Sequence, residues 1–134
     1  MPLYADGLVR VSKRIVPADS TNIVDVYDNS AGTKPIKIEV LRITTDNTAD
    51  RIVTLYVYSG STSFRYGSVT VPDLSGSNGI TDPTVDVIAR LGTPGADGVP
   101  CIWLLSGCKL QASLDSAIAA NKIMDVIGRG LTYS

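Results

Sequence analysis

Histidine is absent from all 134 residues. That removes Ser-His-Asp and Cys-His triads, histidine metal ligands and the usual proton shuttle near neutral pH. Cysteine is nearly absent. Cys101 and Cys108 are too few for a disulfide framework, and two thiolates do not by themselves make a zinc site. Charge is sparse: charged residues make up 19% of the chain, below the roughly 25% common in soluble domains. The net charge of −1 gives no overall electrostatic footprint for nucleic acid or an anionic membrane. Aromatics stand at 6%, too few for an extended stacking platform in addition to a core. No apolar run is long enough to cross a membrane as a helix. The opening MPLYADGLVRV carries Asp6 and lacks the basic-then-apolar layout of a signal peptide.

Branched residues are abundant instead. Val, Ile and Thr occur 14, 12 and 12 times, and their branched Cβ atoms suit a pleated sheet and crowd a helix. With 12 Gly and 7 Pro for turns, the composition indicates an all-β domain. One domain of this size buries roughly two-thirds of its unfolded surface and needs no metal or disulfide staple. Low charge on so small a chain fits burial of part of its surface against other subunits, or a surface rich in Ser, Thr and Asn.

Strand patterns follow one another along the chain. LVRVSKRIV (8–16) alternates loosely, and residues 1–7 before it could be an extended arm. NIVDVYDN (22–29) sets Val24 and Val26 against Asp25 and Tyr27. PIKIEVLRIT (35–44) faces Ile36, Ile38 and Val40 one way, then Leu41 and Ile43 the other. A bulge, or a strand covered on both sides, would explain that change of phase. RIVTLYVYSG (51–60) sets Val53, Leu55 and Val57 against Thr54, Tyr56 and Tyr58. SFRYGSVTV (63–71) is a further strand, bent at Gly67. SAGTKP (30–35) and TDNTAD (45–50) are turns.

The rhythm breaks over 72–100. There TDPTVDVIARLG predicts a short helix, with Thr81 or Asp82 at its N-cap, Pro83 in the first turn and Gly92 at its end. Residues 105–130, LSGCKLQASLDSAIAANKIMDVIGRG, are ambiguous. A helix from Asp115 to Ile127 would align Ala119, Ile123 and Ile127. Two strands and a turn would align Leu110, Ala112 and Leu114, and periodicity alone does not decide.

The segment VDVIARLG…DG-P-IWLL-SG-CKLQASL…A-IAANK-IMDVIGRG resembles the C-terminal half of a group of small tailed-bacteriophage virion proteins. The matching places are Asp97–Gly98, Leu104–Gly107, Leu110–Leu114 and Ala119–Val126, so the resemblance covers roughly residues 80–130. Cys101, Trp103, Cys108 and the ending GRGLTYS depart from it. The resemblance implies a two-sheet, jelly-roll-like β-sandwich with one short helix within 72–100. It implies strand–turn–strand over 105–130, with Ala117–Asn121 near the turn. It also implies a structural role on the phage head or at the head–tail junction. By analogy with shell proteins on local threefold axes it implies a homotrimer. The expected partners are the major capsid protein and further copies of the chain, on the outer surface of the virion, after synthesis in the host bacterial cytoplasm. Nucleic acid and membrane are not expected partners, and no enzymatic activity is expected.

Several residues are candidates for chemistry. Cys101 and Cys108 flank IWLLSG and read better as two small buried hydrophobes than as a clip or metal pair. The acid pairs Asp25/Asp28, Asp46/Asp50 and Asp82/Asp86 could serve glycosidase or calcium chemistry, yet lie where turns and caps use Asp. SGSNG (75–79) lacks the G-K-[ST] of a phosphate loop and reads as a flexible loop. Tyr56, Tyr58, Phe64, Tyr66 and Trp103 offer a lectin-like alternative. Arg10, Lys13 and Arg14 form a small basic cluster that would reach a neighbouring subunit or an acidic shell patch, or be solvated at a strand end. No catalytic, cofactor-binding or metal residue is assigned.

Overall fold

The structure is a computed structural model that describes residues 5–77, 84–95 and 97–133. Its strands are β1 (Ala5–Ile15), β2 (Val24–Asp28), β3 (Ile36–Thr45), β4 (Arg51–Ser59), β5 (Thr62–Val71), β6 (Val85–Asp86), β7 (Thr93–Pro94), β8 (Pro100–Leu104), β9 (Lys109–Leu114) and β10 (Met124–Tyr133). One α-helix, α1, spans Val87–Leu91. The strands form two antiparallel sheets. One is ordered β1-β10-β3-β8-β7, with β6 also on β3; the other is ordered β2-β9-β4-β5. Among the long strands, every connection crosses from sheet to sheet except the β4–β5 hairpin. That order, β1-β10-β3-β8 facing β2-β9-β4-β5, is the double-Greek-key jelly roll, so the expected all-β sandwich is what the chain forms.

The alternation of branched residues explains the packing. Ile36, Ile38, Leu41 and Ile43 of β3, Val53 and Leu55 of β4, and Leu110, Ala112 and Leu114 of β9 are buried in one contiguous core between the sheets. Burying such side chains contributes roughly 1.5–3 kcal/mol each. The phase change in β3 is a bulge. Ile38 opposes Gly130 and Val40 opposes Arg129, which leaves Glu39 as the extra residue. A second bulge in β5 puts Arg65 opposite Tyr56 and Gly67 opposite Leu55, with Tyr66 between, at the bend expected near Gly67. A third, between Asp25 and Tyr27 in β2, packs Tyr27 against the core instead of leaving it beside Asp25.

Residues 105–130 are strand, loop and strand, as the resemblance implied. They do not form a hairpin, because β9 and β10 belong to different sheets. Tertiary bonds hold the connecting loop. Buried Asn47 accepts from the Ala119 N–H through Oδ1 at 3.1 Å, Asp46 accepts from the Ile123 N–H at 2.8 Å, and Arg51 donates to the Ala117 carbonyl. Asn121, near the middle of the loop, takes φ +62°, which Asn tolerates.

The helix is shorter than its sequence signals suggest. It starts after Asp86, whose carboxylate accepts from the Ala89 N–H at 3.1 Å, and ends at Gly92. Thr81, Asp82 and Pro83 lie outside the described residues. So do Asn78 and Gly79 at the end of the SGSNG loop, and residues 1–4 of the expected arm. Ala5 and Gly7 are already paired with β10.

Candidate docking face

The outer face of the six-stranded sheet is built by register. Arg10 of β1 lies opposite Arg129 of β10, which lies opposite Val40 of β3. In the next row Ser12, Ile127 and Arg42 align, and beyond them Arg14, Asp125 and Thr44. On the other side, Leu8, Leu131, Lys37 and Trp103 align across β1, β10, β3 and β8. Strand alternation puts these side chains outside because Val9, Val11, Val126, Leu41 and Ile43 take the inside.

Two glycines let the strands meet there. A Cβ on Gly128 would stand 2.0 Å from the Val40 carbonyl oxygen, and one on Gly130 2.6 Å from that of Lys37. Only glycine allows β3 to approach β10 this closely at the bulge.

The face mixes apolar and cationic side chains. Leu8 is 85% exposed and Ile127 47%, and Trp103 tilts against Tyr133 with ring centroids 5.5 Å apart. A shallow depression of about 670 Å³ runs between Arg10, Arg42 and Arg129 over Gly128, flanked by Val40 and Ile127. Among the described residues these three arginines make no ion pair. Arg14, one row away, makes two bonds to Asp125 at 2.8 and 3.0 Å, and these raise its already high pKa further. At the β8 end Lys37 is buried and bonded to Asp97 at 3.0 Å and Glu39 at 3.3 Å. The bond to Asp97 is the main cause that raises the Lys37 pKa. The Asp97 carboxyl is lowered by the Val99 N–H first and then by Lys37. This clasp holds the turn between β7 and β8 down on the sheet.

The outer face of the four-stranded sheet is organised differently. Gln111 donates to Asp25 at 2.9 Å and accepts from Ser63 at 2.7 Å, while Lys109 reaches Asp25 at 3.3 Å and sits over the Tyr58 ring. Asp25 is the main cause that raises the Lys109 pKa, and the Ser30 hydroxyl and N–H lower that of Asp28. Tyr56 bonds Ser113 at 3.0 Å, and Thr54 bonds Ser68 at 2.9 Å.

The residues singled out from sequence sort accordingly. Arg10 joins Arg42 and Arg129 on the outer face of the six-stranded sheet, whereas Arg14 is held by Asp125. Arg42 and Arg129 were not singled out, because neither belongs to a basic cluster along the chain and only strand register brings them together. The five aromatics do not converge: Trp103 stands on the six-stranded sheet, and Tyr56 and Tyr58 on the other. Phe64 is exposed. Tyr66 packs on the core, and burial raises its hydroxyl pKa. Cys101 and Cys108 are free and buried, and burial pushes the Cys101 thiol up. Asp46 caps a loop amide, as does Asp50 through the Asp73 N–H at 2.9 Å; Asp82 lies outside the described residues. Among the described residues no cluster of three or more acids or cysteines could hold a metal ion, and no helix is long and apolar enough to cross a membrane.

Set against protein-family models, curated proteins and solved structures, the chain matches none of them.

Proposed function

We propose that the chain is a non-enzymatic structural protein of a tailed-bacteriophage virion. In this reading it is a capsid decoration protein that docks on the assembled head through the outer face of its six-stranded sheet. The observation that carries the reading is the composition of that face. Leu8, Ile127, Trp103 and Tyr133 are interleaved with arginines that have no ion-pair partner among the described residues. Aromatics and arginine are the residues enriched in protein interfaces and their energetic centres. The major capsid protein is the partner, and the chain acts as a homotrimer. The mechanism is linkage. A ligand that binds only the mature lattice stabilises it by RT ln(1 + [L]/Kd) per site, and many sites add.

The test is quantitative mass spectrometry of purified virions, with this chain counted against the major shell protein. A ratio typical of a shell-wide component is expected. A few copies per particle would move the role to the neck or tail, and absence would overturn it. The second reading, a glycan-binding module, is favoured by Tyr56 and Tyr58 beside Asp25, Lys109 and Gln111 on the other face. Shifts of the Tyr58 and Gln111 resonances on titration with simple sugars would bring it forward.

A further inference from the structure

We infer that the trough between Arg10, Arg42 and Arg129 seats an extended segment of a partner protein whose trough-facing side chains, every second residue, are by turns carboxylate and apolar. The inference rests on reading this face as the docking face and adds the chemistry of what docks.

Three observations carry it. First, Arg10 and Arg129 are direct cross-strand neighbours, an arrangement that repels, and Arg42 stands on the diagonal. The same face neutralises Arg14 with Asp125, whereas Arg10 and Arg129 have no acid opposite them, and Asp86, opposite Arg42 on β6, is bonded to the Ala89 N–H and makes no ion pair with Arg42. Guanidinium forks left open in this way match carboxylates in bidentate geometry.

Second, the depression is part of a longer trough. It shares Arg10, Gly128 and Arg129 with a depression of about 440 Å³ that reaches Leu8. It shares Ser12 and Ile127 with another of about 280 Å³ that reaches Arg14. The trough follows β1 from Leu8 to Arg14, about 20 Å at the rise of an extended strand, which fits an extended segment of about six residues. A single small anion would fill only its middle.

Third, the walls alternate. Leu131, Arg129 and Ile127 follow one another on this face along β10, and Val40 precedes Arg42 along β3, so a segment whose every second side chain is by turns carboxylate and apolar meets a cation and an apolar contact in turn. A nucleic-acid backbone fits less well, because it carries a charge at every phosphate and brings no apolar side chain to Leu8, Val40 and Ile127.

The experiment uses the full chain and fluorescein-labelled probes: a short peptide repeating Asp-Ser-Val-Ser (the Asp-Val peptide), its counterpart with Ser in place of Asp (the Ser-Val peptide), and a short oligothymidylate. Fluorescence anisotropy at low and high salt gives the affinities, and backbone amide shifts locate the site. The Asp-Val peptide should bind at least about tenfold tighter than the Ser-Val peptide, weaken with salt and shift the amides of β1 and β10. The Arg10→Ser/Arg129→Ser variant, and separately Arg42→Ser, should remove that preference. Equal binding of the two peptides, tighter binding of the oligonucleotide, or a preference that survives both variants would overturn the inference. Copy number on virions separates it from the reading it rests on. A chain present on particles that ignores the acidic peptide leaves docking intact and removes the acidic segment. A chain absent from particles that binds the peptide through these arginines does the reverse.

Discussion

The two outer faces of the sandwich have similar alternation and opposite ways of treating their polar groups. On the β2-β9-β4-β5 sheet, Asp25, Gln111, Ser63 and Lys109 form one network, Tyr56 bonds Ser113 and Thr54 bonds Ser68, and Arg65 is an exposed cation outside these bonds. On the β1-β10-β3-β8 sheet, Arg10, Arg42 and Arg129 stand among exposed aliphatics without ion-pair partners among the described residues. A face whose polar groups satisfy one another gains from folding alone. A face that crowds like charges gives up a little folding stability, and a partner bringing opposite charge recovers it. The proposed docking role draws on this contrast.

The sharpest way to break the contrast is to destroy one sheet and spare the other. Gly128→Val would drive a side chain into the Val40 carbonyl and separate β10 from β3, at a cost of about 3 kcal/mol by urea unfolding. Gly67→Ala in the other sheet meets only the Leu91 methyl groups, a flexible end, and should cost about 1 kcal/mol. Equal losses would mean that the close approach at the β3 bulge is not what holds the six-stranded sheet.

Asn47 serves as a control on both faces. It is buried, donates to the Ala49 carbonyl and accepts from Ala119, and so ties the β3–β4 turn to the β9–β10 loop. Asn47→Ala should cost about 2 kcal/mol by removing two partly buried hydrogen bonds, and should raise amide exchange at Ala119 without a change in the acidic-peptide preference.

The comparison itself is tested by a matched pair. Gln111→Leu removes the centre of the satisfied network and should destabilise by about 1 kcal/mol. Arg129→Ser should leave stability unchanged or raise it by about a few tenths of a kcal/mol, because it relieves the repulsion with Arg10. Thermal melts of the two variants in one buffer decide the matter, and a larger loss for Arg129→Ser would reverse the assignment of roles.

The smallest effect concerns the Lys37–Asp97 clasp. The Asp97 carboxyl titrates below its ordinary value, held there by the Val99 N–H and by Lys37. Its contribution is therefore present above the ordinary carboxyl pKa of about 4 and is lost as pH falls through the lowered one. Lys37 titrates above its ordinary value, so its share fades only at strongly alkaline pH. Asp97→Asn should melt slightly below the parent chain at neutral pH, and the gap should close on acidification below about pH 4. A gap that persists in acid would mean the clasp contributes packing and not charge.

Much of the sandwich was legible in the order of the residues. Val53, Leu55 and Val57 against Thr54, Tyr56 and Tyr58 state which face of β4 is inside, and the structure agrees. The broken alternation at Val40 and Leu41 fitted a bulge or a strand covered on both sides, and the register with β10 shows the bulge. The helix start is not legible in the same way, because Thr81, Asp82 and Asp86 are all good caps, and the Val85–Asp86 pairing with β3 decides among them. The loop after β9 is ambiguous for the same kind of reason. Ala117–Asn121 suits a helix locally and is kept from it by bonds to Asn47, Asp46 and Arg51, which are more than sixty positions away in the chain.

Taken alone, the sequence indicated that the chain is all β, placed β1 to β5 to within a few residues, and closed triad and histidine–metal chemistry to these 134 residues. These follow from composition and from period-2 patterning, both local properties. Tertiary structure decided which strands share a sheet, and hence that Arg10, Arg42 and Arg129 meet on one face while Trp103 and Tyr58 part. Register and sheet order are set by long-range packing, and no local pattern encodes which cation ends up beside which.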